Sequence, residues 1–146
     1  MKRLKIFSRV QQYRDRKKRL RGIRRLINEI NGNLESYYVM SQRDVRKPLL
    51  APVWPGAGMA GAALPAPFLE YRVRVEQYNT LLTEFLEYQR WYSGDIGRQT
   101  RDHALVLEEK RDRVDQASRG LKPVMDAARD ALEESAGDRA AKAAGI

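Results

Sequence analysis

Residues 68–92 read FLEYRVRVEQYNTLLTEFLEYQRWY, and the spacing of their apolar side chains decides the fold class. Phe68, Tyr71, Val75, Tyr78, Leu82, Phe85, Gln89, Tyr92 and Ile96 follow one another at alternating steps of three and four. That is the period of a helix stripe, with one polar member, and not the period of two that a strand requires. Glu70 with Arg74 and Glu87 with Arg90 stand three and four apart, where opposite charges support a helix surface. A long amphipathic helix is the reading.

Upstream, Leu20, Ile23, Ile27, Ile30, Leu34 and Tyr37 show the same alternation, which extends back through Tyr13 and Ile6. The register puts Arg9 and Arg16 on the seam, so the stripe is weaker at its start. Asn31-Gly32-Asn33 has the chemistry of a helix end. The stripe keeps its phase across the triplet, which predicts one helix with a soft spot, stopped by Pro48. Downstream, Ser93-Gly94-Asp95 marks a break, with Ser93 or Asp95 as cap. A stretch from Ile96 to Arg119 carries Val106, Leu107, Val114 and Ala117, and Gly120 ends it. Pro123 suits the first turn of a last helix over 124–134, and 136–146 is expected to be a frayed tail. Strand signals are weak throughout. The expectation is an all-α protein: an elongated helical hairpin or a three-helix bundle with coiled-coil-like heptad seams. Its parts are a basic helix (1–47), a connection (48–67), a long helical region with breaks near 93–97 and 120–123 (68–135), and the tail.

Between the helical patterns, residues 48–69 read PLLAPVWPGAGMAGAALPAPFL without one charged side chain. Five prolines and three glycines prevent a regular helix or strand. The same residues make the stretch a poor membrane span, although its length would allow one. Leu49, Leu50, Val53, Trp54, Met59 and Leu64 are nevertheless apolar residues that a solvated linker does not use. Something must cover them. Either the chain's own helices do so, or the stretch is an arm that docks on another subunit, which is the expectation favoured here.

Charge is the second asymmetry. The formal net charge is +9, yet residues 1–47 hold fifteen Lys/Arg against four Asp/Glu, and the remainder is slightly acidic. Arg14, Arg16, Lys17, Lys18, Arg19, Arg21, Arg24 and Arg25 fall within twelve residues, opposed by Asp15 alone. Helical neighbours of like charge repel by about 0.2–0.5 kcal/mol per pair, which an anionic partner would relieve. Phosphate backbone, an anionic membrane face or an acidic protein groove all have the required chemistry. No motif for reading bases is present. The basic, acid-poor start is like an organellar targeting segment in composition, but Ser8 is its one early hydroxyl residue and no apolar signal core follows.

Catalytic chemistry is sparse. With no cysteine there is no thiolate nucleophile and no cysteine metal site. His103 is the one histidine, set beside Asp102 among charged helical residues. Glu108-Glu109 and Glu133-Glu134 are adjacent, so each pair diverges on a helix rather than converging. The aromatic residues at seam spacing read as core, not as a base-stacking platform. No catalytic residue, metal site or cofactor is expected. Composition and pattern point to a non-enzymatic structural or adaptor subunit of a larger assembly, joined to protein partners or to copies of itself by its seams and arm. Small subunits of virions, secretion machines and organellar complexes have this general character, which is an analogy of type. The rival expectation is a module that binds nucleic acid or an anionic membrane through the basic helix.

Overall fold

The computed structural model describes the backbone of residues 2–52 and 64–143, and side chains within 8–52 and 64–137. The described backbone is helical, with four helices in the order α1 (Lys2–Arg43), α2 (Ala66–Ser93), α3 (Arg101–Arg119) and α4 (Leu121–Ala143). The protein is all-α. α3 and α4 act as one bent helix, so three rods make the bundle. Their joint, Gly120, stays in right-handed helical geometry, and Pro123 cannot supply the amide that the preceding turn would accept. The apolar phase runs through the bend, since Val114, Leu121 and Ala128 are buried at intervals of seven.

α2 opens on Pro65, whose carbonyl accepts from the Phe68 and Leu69 amides, and Pro67 sits in the first turn where its missing N–H costs nothing. Phe68, Tyr71, Val75, Tyr78, Leu82 and Phe85 are all buried, as the spacing predicts. The stripe does not continue to its expected end. Gln89 is exposed, Tyr92 half-buried and Ile96 86% exposed. The chain reverses just there, through a 3-10 turn at Ile96–Arg98, and leaves those positions at the tip of a hairpin. Asp95 caps that turn by accepting from the Gly97 amide, and Thr100 caps α3 by accepting from the His103 amide. α3 then runs antiparallel to α2: Trp91 and Tyr88 meet His103, and Arg74 lies beside Gly120.

α1 packs on α4, and its direction follows from two contacts. Asn33 meets Tyr71, and Met40 meets Tyr78 seven residues further along both helices, so α1 and α2 run parallel. The buried line of α1 is Ile23, Leu26, Ile30, Asn33 and Met40. That corrects the expected seam: Ile27, Leu34 and Tyr37 only flank the core, and Leu20 is half-buried. The helix is turned by about one position because Asn33, a polar residue that apolar spacing passes over, has its partners inside. The Asn-Gly-Asn triplet neither ends nor caps a helix. α1 stops at Arg43, short of Pro48, with Asp44 in left-handed geometry (φ 51°), which Asp tolerates at a helix end. At the other terminus, α4 continues past Gly137 to Ala143 where a frayed tail was expected, and the alanines there are good helix formers.

Candidate polyanion-binding helix

Residues 8–18 of α1 are exposed without interruption. Eleven residues make three helical turns, so every side of the rod faces solvent there. Of the eight expected contact residues, Arg14, Arg16, Lys17, Lys18, Arg21, Arg24 and Arg25 are exposed, and Arg19 is half-buried. At 3.6 residues per turn, Arg14, Lys18, Arg21 and Arg25 stack along one line, flanked by Lys17 and Arg24. That line lies opposite the buried residues Ile23, Leu26 and Ile30. Arg16, seven residues before Ile23, and Arg19 lie instead on the side that continues the core.

Little anionic charge balances these groups. Among the described residues, Arg25 Nε meets Glu29 Oε1 at 3.5 Å, with the Arg25 side chain largely in solvent, an arrangement worth a few tenths of a kcal/mol at most. Asp15 accepts from Gln11 at 3.4 Å. Nε of Arg19 and Oε2 of Glu29 are buried with no hydrogen-bond partner among the described residues. Chemically, this is a helix that presents cations and few countercharges.

The candidate docking arm has a different fate. Leu49 is buried in the chain's own core, and Leu64 packs partly against it. Leu50 stays 59% exposed, while Val53, Trp54 and Met59 lie outside the described residues. Leu49 and Leu64 are thus covered by the chain's own helices, and Leu50 is the exposed one of the described candidates.

What holds the start of the arm is a pair of asparagines. Asn79 Oδ1 accepts from the Leu49 amide at 2.9 Å, and Asn79 Nδ2 donates to the Leu49 carbonyl at 2.9 Å. Asn33 does the same for Leu50, accepting its amide at 2.8 Å and donating to its carbonyl at 3.0 Å. Successive residues of an extended chain point their amide groups to opposite sides. Two carboxamides on two helices therefore grip one dipeptide from both flanks, each standing in for a ladder partner. The second Asn33 Nδ2 hydrogen goes to the Tyr71 hydroxyl at 2.6 Å. The Tyr78 hydroxyl donates to the Lys47 carbonyl at 2.9 Å, and burial pushes its pKa up to about 12. Arg46 forks onto Asp115 of α3 at 2.7 and 2.9 Å. That bidentate hydrogen bond holds the Asp115 carboxyl below the usual carboxylate range and raises the guanidinium. Sequence reasoning missed this clamp; the signal available was two asparagines, Asn33 and Asn79, at inward-facing helix positions.

His103 sits at the hairpin tip. Its Nδ1 lies 2.8 Å from the Arg98 carbonyl and must carry the proton, because a carbonyl only accepts. The ring meets Trp91 edge-on at 5.0 Å, and the Arg98 guanidinium lies over the same indole at 5.2 Å. Among the described residues no group of three His, Asp or Glu side chains is placed to hold a metal ion, and no helix is long and apolar enough to cross a membrane. The chain matches no protein-family model, no curated protein and no solved structure.

Proposed function

We propose that this protein is a non-enzymatic helical adaptor that attaches to a polyanionic partner through α1. The observation that carries the reading is the run of eleven exposed residues, 8–18, continuous with the cationic line through Arg25. A helix that only covers a core has no use for a free end of this charge density, because its neighbours repel one another. A polyanion converts that repulsion into affinity by releasing its condensed counterions. The remainder, α2 to α4 with the clipped segment 45–50, is the rigid body that the helix carries. Membership of a larger assembly remains part of the proposal, with the exposed Leu50 on the side toward a protein neighbour.

Heparin, a polyanion without bases or acyl chains, tests the reading. The whole chain should bind it at low salt and release it as salt rises. Charge reversal at Lys17, Lys18 and Arg21 should abolish binding while the helical circular dichroism and the thermal midpoint stay unchanged, since these side chains are exposed. A wild-type chain with no affinity for heparin at low salt would refute it.

A further inference from the structure

We infer that the polyanion is duplex DNA, and that residues 8–18 of α1 enter its major groove and contact the phosphates on both walls. This rests on the polyanion reading and narrows it. The deciding observation is the angular spread of the exposed cations. Arg14 and Lys18 point away from the side that continues the core, Lys17 lies between, and Arg9 and Arg16 point along that side; all five are exposed. A flat anionic surface touches one face of a helix and leaves the other side's charges in water. A groove touches both sides at once.

The dimensions agree. A helix with its side chains is about 10–12 Å across, and the B-form major groove is about 12 Å wide. Eleven residues rise about 16 Å, the length of about five base pairs. The A-form major groove is deep and narrow, so duplex RNA would not admit the rod in this way. An interfacial membrane helix requires an apolar face along its length, with cations at its margins. Within 8–18 the exposed apolar residues are Val10 and Tyr13, set among Arg9, Arg14, Arg16, Lys17 and Lys18, which is not a continuous apolar face, and further along Leu20 and Ile23 turn toward the bundle. Phosphate contacts fix position and carry no sequence information, so binding is sequence-independent.

The test is fluorescence anisotropy of the full chain on short DNA duplexes of two unrelated sequences. The same duplex as RNA and phosphatidylserine–phosphatidylcholine vesicles serve as the other arms. Five phosphate contacts predict a slope of log K against log salt of about −4.5, which is about a 500-fold loss between 50 and 200 mM salt. Two paired variants, Arg9→Gln with Arg16→Gln and Arg14→Gln with Lys18→Gln, remove one wall each. Each should bring the slope to about −2.7. Loss of affinity only in the second pair describes a flat partner and overturns the groove. Equal affinity for duplex RNA overturns it as well. Binding to vesicles or heparin without binding to DNA overturns the inference and leaves the polyanion reading standing. No binding to heparin removes both.

Discussion

Replacing Asn33 tests whether the clamp, and not apolar packing alone, holds the connection on the bundle. Asn33 is 1% exposed and makes three hydrogen bonds, two to the Leu50 backbone and one to the Tyr71 hydroxyl. In Asn33→Leu the branched shape is kept and helix propensity improves, so a purely steric role predicts no loss beyond the strain of fitting the bulkier methyl groups. A hydrogen-bonding role predicts otherwise. The Tyr71 hydroxyl is fully enclosed, and leaving it unpaired costs about 1–3 kcal/mol. The Leu50 amide and carbonyl are only part-buried and recover water, so each adds about 0.5 kcal/mol. The sum is about 2–4 kcal/mol, read from urea denaturation. Hydrogen exchange gives an independent signature. The Leu49 and Leu50 amides should be protected although they lie in no helix, and Asn33→Leu should release Leu50 first. Combining Asn33→Leu with Asn79→Leu should cost less than the separate losses added, because both grip one dipeptide and the second has less to hold once the first has gone. A change below about 0.5 kcal/mol for Asn33→Leu, the range of ordinary surface substitutions, would refute the argument.

Leu82→Ala, at a fully buried position of α2, should cost about 2–5 kcal/mol in the same assay. Gly32→Ala should stabilise by about 0.5–1 kcal/mol, because an added Cβ meets only Leu50 Cδ1, at an ordinary 3.9 Å, while the helix gains propensity. Stability should also fall as pH rises from 10 toward 12. The Tyr78 pKa is raised in the folded chain, chiefly by burial, so its contribution is complete below the unfolded value of 10.0 and lost as pH climbs through about 12. That loss is on the order of 2 kcal/mol, and Tyr78→Phe should remove this part of the alkaline limb. Asp115 has the opposite sign: its lowered pKa stabilises above the ordinary carboxylate value and is lost as pH falls through the folded one, a limb that Arg46→Met should flatten.

The helices were legible because apolar spacing is a property of each residue and its near neighbours. Phe68 through Phe85 could be read as one buried face without knowing what covers it. The rotation of α1 was not legible in that way. It depends on Asn33 meeting Tyr71, thirty-eight positions away, and on Leu50, which belongs to a stretch with no period. An apolar count scores Asn as solvent-facing, so it slid the seam to Ile27 and Leu34. The hold on the first residues of the arm was missed for a related reason. Proline and glycine correctly excluded a helix, but nothing local states that two distant carboxamides will satisfy an extended backbone and let Leu49 join the core. The basic cluster was legible as charge. Its spread around the whole rod was not, because that depends on where the bundle stops covering α1.

Where the bundle stops follows from register. α1 has 42 residues and α2 has 28, so they rise about 63 and 42 Å. The Asn33–Tyr71 contact sets the two parallel rods level, which puts the start of α2 near residue 28 of α1. Beyond that point only α4, returning antiparallel, lies against α1, and the buried line ends at Ile23. The sequence changes character at the same place: apolar seam residues give way to Arg19, Arg16 and Arg9 along the same side. Had those positions been Leu or Ile, α1 would carry an uncovered apolar face that invites self-association. Arginine there makes the side that continues the core cationic as well, although Val10 and Tyr13 remain exposed between the charges. The length of α1, the register fixed by Asn33 and the seam arginines therefore act together. Shifting the register by one heptad toward the N-terminus would draw Arg16 toward the apolar core, where an unpaired guanidinium is costly, so the clamp at Asn33 also determines how much of the basic helix stays free to bind.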